Sequence, residues 1–183
     1  IRVYEKFFKS IGLKEGHHII VHSSFRNIRK AFPGSKIEEL IQALKNVVTA
    51  KGSIIMPAFT YCFKRIEGDY NIFDRAQTTS EVGAVSEVFR KSKGVIRTSS
   101  PTHSFSLWGE VTHRIDKSNG PKSPLGGNSV LDWITQRNNA FVLLLGVDFT
   151  ALSYCHYLEI KAEVPWADVS PWDYMQVEKI GVS

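Results

Sequence analysis

The chain has 183 residues, of which 43% are hydrophobic and 22% are charged, and its formal net charge at pH 7 is +5. This length is enough for one domain with a substantial core. We therefore expect residues 1–183 to form a single domain, and we expect that domain to continue beyond residue 183. The basic residues are spread along the chain rather than clustered, which argues against a nucleic-acid partner and suits a small anionic ligand.

The sequence offers no membrane or export signal. No apolar run reaches the roughly 18 residues of a membrane span, and no signal peptide opens the chain. Cys62 and Cys155 lack paired spacing, which indicates a reducing compartment without a disulfide framework. We expect a cytoplasmic protein with no membrane partner.

The first half of the chain alternates between helical and strand-like patterns. Its predicted elements are a helix over 1–13, a strand over 18–22 (HIIVH), a helix over 35–50, a strand over 53–59 (SIIMPAF) and an aromatic loop over 60–78. Ser35 and Glu38 have the spacing of a capping box at the start of the second helix. A long loop beside a sheet is typical of a lid or a substrate wall.

The second half continues the alternation. Its predicted elements are a helix over 81–93, strand-like segments over 94–97 and 104–108, a Gly/Pro-rich loop over 121–131, a helix over 129–136, a strand over 140–147 and a helix over 153–162. The run 140–147 (AFVLLLGV) is typical of a fully buried strand. The whole pattern predicts an α/β fold, with a mostly parallel central sheet and helices on both faces.

The last predicted helix carries the strongest candidate for chemistry. His156 and Glu159 are three residues apart in SYCHYLEIKA and therefore share one helix face. The preceding strand delivers this helix to the carboxyl edge of the sheet, where open α/β folds bind ligands. A carboxylate beside an imidazole fixes its tautomer and raises its basicity, as a general base requires. The same spacing also fits a solvated surface pair, and spacing alone leaves both interpretations open.

Several familiar motifs are absent from the sequence. It contains no Walker A or GxGxxG pattern, which disfavours a P-loop or a dinucleotide-binding turn. It contains no HExxH, and the single His-x-x-Glu pair lacks a second helix of the same kind, so we expect no catalytic metal. Cys155 adjoins His156 but points about 100° away from it on the helix. Cys62 remains available as a thiol nucleophile, which keeps a hydrolase as a minor hypothesis.

Six segments, taken together, resemble one known family. They are VHSSF at 21–25, IIMPAFTYCF at 54–63, SEVGAVSEVFRK at 80–91, GVIRTSSPTHSFSLWG at 94–109, PLGGNSVLDWI at 124–134 and LLLGVDF…CHYLE at 143–159. Their order and spacing resemble the aminoglycoside 3-N-acetyltransferases, the antibiotic N-acetyltransferases whose fold is unrelated to the GNAT fold. The resemblance covers about residues 15–166.

The resemblance implies an enzyme with acetyl-CoA as co-substrate and a primary amine of an aminoglycoside or amino sugar as acceptor. It places the family's imidazole–carboxylate pair on His156 and Glu159. The residues it assigns to the pantetheine channel are Ser23, Ser24, Phe25, Ser104 and Phe105, and those it assigns to the acceptor side are Asp74, Glu87 and Asp148. His103, which lies near a departure from the family pattern at Ser100, is a further candidate for acceptor binding or proton transfer.

Two departures from the family pattern concern the acceptor. Ser100 precedes Pro101 where many members have histidine, and the loop over 69–75 is shorter and less acidic than a polycationic antibiotic favours. An amino sugar other than an antibiotic is therefore an equal candidate. The alternative function is a non-catalytic domain of the same fold that binds CoA or a sugar. The sequence leaves open whether the protein is a homodimer.

Overall fold

The structure is a computed structural model and describes residues 1–60, 73–115 and 124–165. Within these ranges the helices are α1 (Arg2–Ser10), α2 (Phe25–Ala31), α3 (Ile37–Val48), α4 (Ala84–Arg90), α5 (Val130–Thr135) and α6 (Tyr154–Lys161). The strands are β1 (His18–Ser23), β2 (Ser53–Pro57), β3 (Ile96–Arg97), β4 (Phe105–Gly109) and β5 (Ala140–Leu145). Short 3-10 helices follow β4 and β5, at Glu110–His113 and Phe149–Ala151.

The strands form one sheet in the order β3-β4-β2-β1-β5. β1 lies at the centre of three parallel strands, because it pairs in parallel with both β2 and β5. β4 runs antiparallel to its neighbours β2 and β3. Four of the five described strands therefore point the same way, and the predicted α/β fold with a mostly parallel sheet is confirmed.

Helices cover both faces of this sheet, as predicted. Alternation along β1 separates the two sides, since successive side chains of a strand point to opposite faces. Ile19 and Val21 pack in the larger core cluster with α1, α2, α3 and α4. Ile20 packs in the second cluster with α5 and with Tyr157 of α6. The face that carries α5 and α6 is called the α6 face below.

The prediction that β5 is fully buried was wrong. β5 lies at one end of the described sheet, and Phe141 and Val142 expose 49% and 37% of their surface. Of its six residues, Leu145 is the buried one. A run of apolar residues has the same appearance in a central strand and in an edge strand, so composition did not distinguish the two positions.

Two helix starts show how local signals succeeded and failed. α5 begins at Val130, one residue after the predicted start, and Ser129 caps it by accepting hydrogen bonds from the amides of Leu131 and Asp132 at 3.2 and 3.3 Å. The predicted capping box before α3 was wrong. That helix begins after Lys36, and the Ser35 hydroxyl donates instead to the carbonyl of Phe32.

Two structural features are absent from the described ranges. None of their helices combines the length and the apolarity needed to cross a membrane. Nor do three or more His, Cys, Asp or Glu side chains gather there closely enough to hold a metal ion.

Candidate active site

The segments predicted to carry the site meet at the carboxyl edge of β1, β2 and β5. Ser23 at the end of β1 is level with Leu145 at the end of β5. Pro57 at the end of β2 is level with Phe105, the first residue of the antiparallel β4. The turn after β1, the connection between β3 and β4, and the connection from β5 to α6 therefore lie along one edge, where α/β sheets bind ligands.

The pair predicted on α6 is in contact. Nδ1 of His156 lies 3.0 Å from Oε2 of Glu159. The side chains expose 61% and 37% of their surface, so the pair stands at the protein surface. With Nδ1 facing the carboxylate, Nε2 of His156 is the ring nitrogen available to a reactant.

Two tyrosines fix α6 against α5. Within α6, Tyr157 is the buried residue, and its hydroxyl donates to Oδ1 of Asp132 at 2.7 Å. Tyr154 stacks on Tyr157 with ring centroids 5.6 Å apart, and its hydroxyl lies 2.9 Å from that of Thr135. His156 therefore projects from a helix that side-chain contacts hold against α5.

His103 lies at the same carboxyl edge of the sheet, in the connection between β3 and β4. Its ring packs edge-on against Phe59 at 4.8 Å, and Phe59 packs edge-on against Phe105 at 5.3 Å. Burial lowers the pKa of His103 to about 4, with a smaller lowering by the charge of His156. The two imidazoles are therefore within electrostatic reach, and His103 is neutral at pH 7.

A pH-dependent stability follows from His103 and from His22 at the end of β1, because burial also lowers the pKa of His22 to about 4. Histidine in an unfolded chain has a pKa near 6.5, so between pH 6.5 and 4 the unfolded chain binds about one more proton at each position. We expect the free energy of unfolding to fall as pH decreases through this window. Urea denaturation at pH 7 and pH 5 measures it, and equal stability at both would contradict the burial of the two rings.

The predicted pantetheine turn follows β1. The Ser24 amide donates to the Leu145 carbonyl at 2.9 Å, and the Ser24 hydroxyl makes no capping hydrogen bond to α2. The turn is also tied to the end of β5, because Asn27 donates to the Gly146 carbonyl at 2.8 Å. Gly146 has φ +71°, and a Cβ there would lie 2.8 Å from Cβ of Asn27. This close approach requires glycine.

The other predicted pantetheine contacts at Ser104 and Phe105 have buried side chains. The Ser104 hydroxyl donates to the Ala58 carbonyl at 2.8 Å and accepts from Nε of Arg97 at 2.9 Å. Phe105 belongs to the core of the α6 face. Ser23, Ser24 and Phe25 are half-buried, so the turn after β1 is the more accessible part of the predicted channel.

The three acidic residues predicted on the acceptor side are placed differently. Oδ1 of Asp74 accepts from the amides of Ala76 and Gln77, and Oδ1 of Asp148 accepts from the amide of Thr150 at 3.0 Å. Each of these two carboxylates makes these contacts through one oxygen and stands on a loop at the carboxyl edge.

The carboxylate of Glu87, by contrast, is paired with groups of the protein itself. Arg90 binds both of its oxygens, at 2.7 and 2.8 Å, and Lys91 and the amide of Ser80 contact it as well. Burial would raise the pKa of Glu87, but the hydrogen bonds from Arg90, Lys91 and Ser80 outweigh it and lower the pKa to about 2. Its predicted role toward the acceptor stays a prediction.

Two buried arginines, Arg90 and Arg97, were not predicted from the sequence. Arg97 donates to the carbonyls of Thr78 and Ala58 at 2.5 and 2.6 Å, and Arg90 donates to the carbonyl of Ala76 at 2.5 Å. Arg97 fastens the loop that carries Asp74 to the sheet, and Arg90 fastens it to α4. The available signal was an arginine inside the apolar segment GVIRT, since a buried charge has to be compensated.

A family model described as aminoglycoside 3-N-acetyltransferase matches residues 20–180. The chain belongs to the aminoglycoside 3-N-acetyltransferase family. The resemblance based on six ordered motifs is thereby confirmed. Among curated members, the chain is 30% identical over 172 residues to the prophage-derived aminoglycoside N(3')-acetyltransferase-like protein YokD of Bacillus subtilis strain 168. It is also 30% identical over 159 residues to aminoglycoside N(3)-acetyltransferase IV of a Salmonella species.

These aminoglycoside acetyltransferase relatives are longer than the chain. The matches cover 84% and 86% of the chain but 62% of YokD and 57% of the Salmonella enzyme. Among solved structures, a histidine-to-alanine mutant of AAC(3)-IVa in complex with a gentamicin has a TM-score of 0.75 to this chain and 26% identity. That match covers 90% of the chain and 60% of the enzyme.

Ser100, which precedes Pro101, shapes the turn that presents His103. It is buried, and its hydroxyl accepts from the amide of His103 at 3.1 Å. Cys62, the thiol of the hydrolase hypothesis, lies outside the described residues, and Cys155 is a half-buried free thiol on α6.

Proposed function

We propose that the protein transfers an acetyl group from acetyl-CoA to a primary amine of an aminoglycoside or a related amino sugar. The observation that carries the proposal is the 3.0 Å contact between His156 and Glu159 at the carboxyl edge of the sheet. Membership of the acetyltransferase family supplies the reaction class. The gentamicin complex of AAC(3)-IVa supports the class of acceptor.

His156 acts as the general base in this proposal. An amine is mostly protonated at neutral pH, and only the fraction that has released this first proton to water attacks a thioester. Nε2 of His156 takes a proton from the amine, and Glu159, facing Nδ1, stabilises the imidazolium that forms. The amine nitrogen bonds to the carbonyl carbon, the tetrahedral intermediate collapses with cleavage of the C–S bond, and the CoA thiolate receives the proton from His156.

The turn after β1 is the proposed place for the acyl donor. Ser23 and Ser24 offer hydroxyls at a point where the backbone passes from β1 into α2, and Phe25 offers the edge of a half-buried ring. Hydroxyls and an apolar ring suit the amide groups and methylenes of a pantetheine arm. Ser104 and Phe105 are buried, and their predicted contacts with the pantetheine arm stay a prediction.

The acceptor is proposed to lie beside the loops that carry Asp74 and Asp148, near His103. An amino sugar brings ammonium groups, and the second oxygen of each carboxylate is oriented by hydrogen bonds to the first. His103, neutral at pH 7, adds a hydrogen-bonding group without a positive charge that would repel the acceptor.

Thiol release from acetyl-CoA tests the proposal directly. We expect release that requires an acceptor amine, in a panel of aminoglycosides and simple amino sugars, with N-acetylated amino sugars as the matched control. Release with aminoglycosides alone would assign an antibiotic-modifying enzyme, and release with amino sugars alone would assign a biosynthetic one. CoA binding without release for any amine would overturn the proposal and favour the non-catalytic binding domain.

A further inference from the structure

His22 is a buried histidine of the carboxyl edge that has no part in the mechanism described above. It is the second-last residue of β1 and immediately precedes the serines of the proposed pantetheine turn. Ile20, two residues earlier, packs against the α6 face, and alternation along the strand places the His22 side chain on the same face. The imidazole therefore lies at the carboxyl edge on the side of the sheet that α6 and His156 cover.

The polar ring of His22 is incompletely satisfied. The residue is 6% exposed, and Nε2 is out of contact with solvent and has no hydrogen-bond partner within the described chain. Nearly all buried polar atoms in proteins are hydrogen-bonded, and an unpaired one destabilises the fold. This atom lies beside the proposed ligand turn, where a bound ligand can supply the missing partner.

The surroundings of His22 also determine which chemistry it can perform. Burial lowers its pKa to about 4, so the ring is neutral at pH 7 and holds one N–H donor. An imidazole with so low a pKa is a weak base toward an amine, but its N–H can polarise a carbonyl. Exposed His156 beside Glu159 has the opposite surroundings, and two titratable groups in such different environments are typical of separate roles.

We propose that His22 is a further catalytic residue, whose Nε2–H donates a hydrogen bond to the thioester carbonyl oxygen of the acyl donor. This inference rests on the proposed acyl transfer. When the amine bonds to the carbonyl carbon, the π electron pair moves to oxygen, and His22 stabilises the resulting oxyanion. The pair returns as the C–S bond breaks, and the thiolate takes the proton held by His156. Because Nε2 is closed to solvent, the ring turns about its Cβ–Cγ bond to meet the oxygen.

Infrared spectroscopy of bound acetyl-CoA, labelled with ¹³C at the thioester carbonyl, tests this contact without an acceptor amine. His22→Leu fills a similar volume without a donor, and His22→Gln is the matched control that keeps an N–H group. We expect the carbonyl band at lower wavenumber in the unsubstituted protein and in His22→Gln than in His22→Leu. Loss of one oxyanion donor typically lowers kcat by about 10²–10³-fold, and we expect that loss in His22→Leu with unchanged affinity for CoA.

The remaining outcomes of these measurements lead to different conclusions. Replacing an unpaired polar ring by leucine should leave the thermal midpoint unchanged or higher, since no hydrogen bond is lost. An identical carbonyl band in His22→Leu and the unsubstituted protein would overturn the inference, whatever the turnover. A protein that does not bind acetyl-CoA at all would overturn the proposed function itself, and so the two failures are separable.

Discussion

Replacing His156 by alanine is expected to lower kcat for acetyl transfer by about 10²–10⁴-fold, the usual contribution of a positioned general base. The affinity for CoA should not change, because the proposed acyl-donor turn lies on β1 and not on α6. Stability should change little as well, since the pair with Glu159 is exposed and such pairs contribute about 0–1 kcal/mol. Steady-state thiol release gives kcat, and isothermal titration gives the dissociation constant of CoA.

His113 provides the matched control for this substitution. It is an exposed histidine in the 3-10 helix after β4, at the opposite end of the sheet, and His113→Ala should leave turnover unchanged. Added imidazole should partly restore the His156→Ala variant, because a side chain that is 61% exposed leaves a gap that a small molecule can enter. Undiminished turnover in His156→Ala would remove this residue from the mechanism.

The site was predictable where its geometry is local. The contact between His156 and Glu159 follows from a spacing of three residues on a helix, and any helix over 153–162 produces it. The gathering of the turn after β1 and the helix after β5 at one edge follows from parallel strands, which the alternation of helices and strands predicted. Neither conclusion needs a detail of side-chain packing.

Long-range contacts could not be predicted from the sequence. Glu87 and Arg90 are three residues apart on α4, so their pairing is local, but the contact of Arg90 with the carbonyl of Ala76 depends on how α4 packs. Likewise, β5 has the composition of a central strand and lies at the end of the described sheet. Nε2 of His22 is unpaired because of how several elements pack around the ring, and the motif VHSSF contains no pattern that predicts this.

Arg97→Ala is expected to lower the free energy of unfolding by about 3 kcal/mol or more, a large loss for one side chain. The guanidinium is buried and donates to the Ser104 hydroxyl and to the carbonyls of Thr78 and Ala58. Alanine leaves these acceptors buried without that donor. Urea denaturation at pH 7 measures the change, and Arg97→Lys should recover only part of the stability, because an ammonium cannot reproduce the planar fork.

The same substitution should affect the acceptor more than the acyl donor. Arg97 also packs over Phe73, with its guanidinium carbon 4.9 Å from the ring centroid, so it holds the loop of Asp74 at both ends. In Arg97→Lys, we expect a raised KM for the amine and an unchanged affinity for CoA. Arg114→Ala is the control, since that arginine is 60% exposed and pairs with Glu110 at the other end of the sheet. If Arg97→Ala proves as stable as Arg114→Ala, the buried arginine does not hold this loop to the sheet.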